Sequence, residues 1–109
     1  MFNDKESEEL LELIRKIAVR PAMYVGEYDF LRATAFIEGF RYARGNRGTL
    51  DNPDILMFFS LWLSEKLDRP KNWAWFGTLK EFYKEDEKAF EMQPKHFEEF
   101  LKTSIATML

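Results

Sequence analysis

The chain has 109 residues, a formal net charge of −3 and no cysteine. It is the length of one domain, and disulfides, thiolate metal sites and cysteine nucleophiles are excluded. A single histidine, His96, rules out a multi-histidine metal centre within one chain. Residues 20–48 carry a local charge of +2, against −2, −1 and −2 for residues 1–19, 49–77 and 78–109. A nucleic-acid-binding domain needs a basic patch. Only Arg41, Arg44 and Arg47 approach one, and they read as a solvated helix end whose cations suit the C-terminal dipole. The acidic start lacks the apolar core of a signal peptide. The longest nearly apolar run, Ile55 to Leu63, is about half of what spans a bilayer. The expectation is a cytoplasmic chain with no nucleic-acid or membrane partner. Eleven phenylalanines imply a largely aromatic core, with a few rings left for a partner surface.

In chain order, the first helix is expected from Asp4 to Ala18, with Asn3 and Glu6 at capping-box spacing. Leu10, Leu13, Ile14, Ile17 and Ala18 share one face; Glu9, Glu12, Arg15 and Lys16 share the other. Pro21 holds Arg20 extended and lacks an N–H, so the helix stops before it. The connector Arg20–Gly26 reads as a tight link, with Met23, Tyr24 and Val25 packed under the helices and Gly26 as the turn. Its functional reading is a partner-binding corner presented by Arg20, Tyr24 and Tyr28.

A second helix is expected over Asp29–Arg44. Leu31, Ala35, Phe36, Phe40, Tyr42 and Ala43 form its predicted core face, while Thr34, Glu38 and Arg41 face water. Gly39 costs about 1 kcal/mol relative to alanine in a helix interior, and a close helix crossing over Ala35, Gly39 and Ala43 accounts for it. Residues 45–51 read as a loop, and Asn52, Pro53 and Asp54 as the start of a third helix. That helix is apolar nearly all round, hence central, and ends at Asp68-Arg69-Pro70. A fourth is expected from Trp73 to Glu85, with a competing start at Thr78. Asp86 can cap a last helix through Phe90, Phe97, Phe100 and Ile105, which Pro94 should kink or split. The fold class is therefore all-α: a bundle of about five helices in a single domain over residues 1–109.

No glycine-rich phosphate loop is present. A serine triad would need His96 as its base, and His96 reads as a surface residue on a charged helix. The carboxylates at 85–87 and 98–99 alternate with lysines at helical spacing, which points to surface ion pairs and not to a catalytic pair. No catalytic residue, cofactor or metal is expected.

Arg20-Pro21-x-Met23-Tyr24-x-Gly26 resembles the Arg-Pro-Gly-Met-Tyr-Ile-Gly segment of the gyrase B ATPase family. The helix after it, Phe36 to Ala43, lacks the asparagine that the family uses with magnesium, and the later glycine-rich motifs are absent. The whole chain resembles more closely a group of small helical bacterial proteins associated with polymorphic-toxin loci. The residues that carry the likeness are this segment, Phe36-Ile37-x-Gly39-Phe40-x-Tyr42-Ala43, Trp62, Trp73, the 85–90 turn and Phe97 to Leu101. Pro94 departs from the unbroken last helix of that pattern. The resemblance implies an immunity-type role, in which a non-catalytic cytoplasmic protein binds and blocks a toxin domain. Acidic charge would steer it to a basic partner, from Glu6, Glu8, Glu9 and Glu12 or from the turn holding Glu85, Asp86 and Glu87. Tyr24, Tyr28, Trp73 or Trp75 would anchor the contact. The alternative is a homodimeric interaction module.

Overall fold

The computed structural model describes residues 4–43 and 55–108. The predicted loop at 45–51, the cap at Asn52-Pro53-Asp54, Asn3, Arg44 and Arg47, and the Glu6 side chain lie outside the described residues, as do the side chains beyond Thr103. The described residues form α1 (Asp4–Val19), α2 (Pro21–Val25), α3 (Phe30–Ala43), α4 (Ile55–Lys66), α5 (Trp75–Tyr83) and α6 (Asp86–Met108). There is no strand among them. The fold is an all-α bundle.

The connector after α1, expected as a simple link, is itself one turn of helix. Pro21 occupies its first position, where a missing N–H costs nothing and its φ is already helical. Gly26 closes the turn at φ 85°, its N–H donating to the Ala22 carbonyl at 2.9 Å. A residue with a Cβ would be strained there. Asp29 Oδ1 then accepts the Arg32 N–H at 2.9 Å and starts α3.

The core face of α3 is not the one expected. Phe30, Ala33, Thr34, Ile37 and Arg41 are buried, whereas Leu31, Ala35, Phe36, Gly39, Tyr42 and Ala43 are exposed. Both stripes of this helix are apolar, so periodicity alone does not choose between them. Thr34 is accommodated because its hydroxyl donates to the Leu31 carbonyl at 2.8 Å. Arg41 is accommodated by Glu38, whose Oε2 accepts from its guanidinium at 2.9 Å. Glu38 faces water in part, its side chain 40% exposed, while its Oε1 also accepts the Trp75 indole N–H at 2.9 Å. Gly39 is at no helix crossing among the described residues, where a Cβ would meet nothing within 4 Å.

α4 buries one stripe, Leu56, Phe59, Leu63 and Ser64, and leaves Leu61 outside. Phe59 is the hub of the core. Its ring lies 5.1 Å from Phe97, 5.4 Å from Phe100 and 6.1 Å from Trp75. Asp68 takes a left-handed conformation at φ 54°, and Arg69 N–H returns to the Ser64 carbonyl at 2.8 Å to finish the helix.

Pro94 lies inside one continuous α6 and does not split it. Its missing donor and ring clash cost about 3 kcal/mol. Phe90 on one side and Phe97 and Phe100 on the other are all buried. Each contributes roughly 1.5–3 kcal/mol by leaving water, so packing outweighs the proline. α1 lies along α6, burying Leu10, Ile14 and Ile17, with Arg15 paired to Glu98 at 2.6 Å on the outside.

Two helix starts are capped from neighbouring helices. Ser60 Oγ on α4 accepts the N–H of Trp75, the first residue of α5, at 2.8 Å. Asp86 Oδ2 on α6 accepts the N–H of Phe30, the first residue of α3, at 3.2 Å, while its Oδ1 takes the Lys80 ammonium from α5. Asp86 was expected to cap its own helix; it ties three helices together instead. Burial alone would raise its pKa. The hydrogen bonds from Lys80 and Phe30 and the Lys80 charge outweigh that and hold it below the ordinary 3.8. The stability it contributes is therefore complete above about pH 4 and lost as acid protonates the folded carboxylate. Asp86→Ala should cost about 1–2 kcal/mol in urea unfolding at pH 7, with Asp86→Asn in between. The difference from wild type should shrink as the pH falls below 3.8 and acid protonates the folded carboxylate.

Candidate functional site

The link from α5 to α6 is two residues long. Lys84 sits at φ 67°, its N–H on the Lys80 carbonyl at 2.8 Å, and Glu85 N–H donates to Tyr83 at 2.7 Å. This turn puts Glu85, Asp86 and Glu87 at the N-terminus of α6, where carboxylates are favoured by the helix dipole. The chain from Gly26 to Asp29 passes the same place. Tyr28 packs edge-to-face on Phe90, centroids 5.1 Å apart, and Phe90 packs on Phe30 at 5.2 Å. Tyr28 is held in position by its underside and remains 52% exposed. Burial of that underside raises its phenol pKa, and the Glu87 and Asp86 charges add to the shift.

The eight partner-binding candidates fall in different places. Tyr28, Glu85, Asp86 and Glu87 meet at this corner. Asp86 is engaged in the fold, whereas Glu85 and Glu87 carry no ion pair among the described residues. Arg20 and Tyr24 instead line an open groove of about 390 Å³ with Arg15, Lys16, Val19 and Met23. Arg15 and Lys16 are paired to Glu98 and Glu12; the Arg20 guanidinium lies 3.8 Å from the Met23 sulfur and has no carboxylate partner among the described residues. Tyr24 stands edge-on to Phe36 at 5.9 Å. Trp73 is half-buried in the α4–α5 connection, its N–H on the Pro70 carbonyl at 3.2 Å. Trp75 is only 2% exposed and offers nothing to a partner; its ring belongs to the core and its indole N–H to Glu38. Val19 and Met23, among the most exposed apolar side chains, were missed. Met23 was expected to pack under the helices and Val19 lies just past the expected end of the first helix, so no local signal marks either as outward-facing.

His96 is buried, contrary to its surface reading. Its Nε2 is 2.6 Å from the Tyr83 hydroxyl, which joins α6 to α5. Burial lowers its pKa, the nearby Lys66 lowers it further and Glu99 partly opposes this. Among the described residues no cluster of three metal-ligating side chains occurs. Comparisons with protein-family models, with curated proteins and with solved structures gave no match.

Because burial lowers the His96 pKa in the fold, the unfolded chain binds more protons just below the ordinary pKa of 6.5. Stability should therefore be full above pH 6.5 and fall as the pH drops below it, before the carboxylates titrate. Thermal melts across pH 5 to 7.5 should show this slope in wild type, and His96→Gln should flatten it.

Proposed function

We propose that the protein is a non-catalytic, cytoplasmic protein-binding domain of the immunity type, which occupies and blocks a basic toxin domain. The observation that carries this reading is the corner at Tyr28. An exposed ring is fixed by Phe90 and sits beside Glu87, a carboxylate without an ion pair among the described residues. A rigid tyrosine gives contact area at little entropic cost and is a favoured hot spot. Unpaired carboxylates around it raise the association rate with a cationic surface and favour it over acidic ones. Support also comes from the engagement of His96 and Asp86, the groups best suited to proton transfer, in internal contacts. No helix among the described residues is long and apolar enough to cross a membrane.

The test is capture from the source organism's lysate on the tagged protein, followed by titration of the recovered partner. A basic domain of a larger protein should be recovered, and co-expression should relieve its toxicity. Tyr28→Ala should weaken binding by about 10- to 100-fold. Glu85→Lys with Glu87→Lys should slow association and reduce its dependence on salt. A partner indifferent to all three changes would overturn the assignment of this corner. Recovery of no heterologous protein under toxin expression would overturn the immunity reading.

A further inference from the structure

The outward face of α3 departs from an ordinary surface. At its exposed positions Arg32 is the one charged side chain, and it is tied to Glu27. Leu31 is 46% exposed and Tyr42 62%. Ala35 and Gly39 lie between them. Through the Tyr24–Phe36 contact this face continues to Met23 and Val19, which are 72% and 76% exposed. Phe and Tyr side chains cover roughly 150–250 Å² each when fully buried, and Val, Leu and Met somewhat less. The exposed parts of Val19, Met23, Leu31, Phe36 and Tyr42 then come to about 500 Å² per copy. Two copies would bury about 1,000 Å², the lower bound of a specific interface.

We propose that this face pairs with the same face of a second copy, α3 against α3, about a two-fold axis near Ala35 and Gly39. A two-fold interface places one patch on itself, so the patch must not repel its own image. The exposed positions of α3 meet that condition: in a chain of net charge −3, their one charged side chain, Arg32, is already paired with Glu27. A neutral face also gives no steering toward a charged heterologous partner, unlike the Tyr28 corner. The small residues at the centre let two helix backbones approach closely. Gly39 thereby acquires a role that its open surroundings within one chain do not supply. Arg20, without a carboxylate partner among the described residues, stands at the rim, where interfaces are polar.

The experiment is sedimentation equilibrium from the micromolar range to about 0.5 mM, where mass action favours association. The wild-type mass should approach twice 13.1 kDa. Gly39→Arg places a long side chain into space that is open in the monomer, so helicity and the dilute-solution Tm should be kept. Its dimerisation should weaken at least about tenfold. Tyr28→Ala should dimerise like wild type, which separates this face from the partner-binding corner. A wild-type chain that stays monomeric at about 0.5 mM, or a Gly39→Arg chain that associates as tightly as wild type, would overturn the proposal. So would a monomeric wild type whose heterologous partner is lost in Gly39→Arg; that result would reassign the face to the other protein.

Discussion

The Asp86 carboxylate is the point at which the bundle and its candidate site become one object. It belongs to α6, accepts the first N–H of α3 and holds the Lys80 ammonium of α5. A helix start leaves several N–H groups without an intrahelical partner, and a buried start needs an acceptor. α3 obtains one from Asp29 in its own chain direction and one from Asp86 across the bundle. That second bond brings the segment before α3 against the N-terminus of α6. Tyr28 consequently rests on Phe90, and the exposed corner inherits the rigidity of the core beneath it.

The aromatic core works in the same sense. Phe59 joins α4 to α5 and α6 through Trp75, Phe97 and Phe100. Polar ties then fix how the helices are rotated: Ser60 to Trp75 N–H, Glu38 to the Trp75 indole and Tyr83 to His96. Phenylalanines alone would fill volume without selecting one rotation of each helix, and hydrogen bonds of defined direction make that selection. The two proposed surfaces lie on the outside, one charged and built around a single tyrosine, the other largely apolar and extended along α3. Their different chemistry suits different partners, so a domain of this size can pair with itself and still present the corner.

Helix boundaries were legible where a local rule governs them. Pro21, Gly26 and Asp29 place the α1–α3 connection to within a few residues, because the proline ring, a positive φ and an Asp cap act on the adjacent backbone. The rotation of α3 was not legible. Its two stripes are both apolar, and the residues that face inward include Thr34 and Arg41, which composition assigns to water. Their burial depends on Leu31 and Glu38 as local partners, and on what the helix packs against. Trp75 failed as an anchor for a related reason: an indole is equally suited to an interface and to a core. Of the candidate corner, the residue types were readable but their meeting was not. Phe30 and Asp86 are 56 positions apart, and no periodicity links them. Pro94 shows the converse, a strong local rule outweighed by buried phenylalanines on either side.

Amide hydrogen exchange at Phe30 tests the dependence of this arrangement on Asp86 most directly. The first N–H groups of a helix ordinarily exchange quickly because nothing accepts from them. If the cross-bundle bond to Asp86 holds the fold together, the Phe30 amide should exchange only as slowly as the buried interior of α3 and α6. It should become fast in Asp86→Ala while the amides of Leu10 to Ile17 in α1 stay protected. A Phe30 amide that exchanges in wild type at the rate of an open helix end would contradict the account.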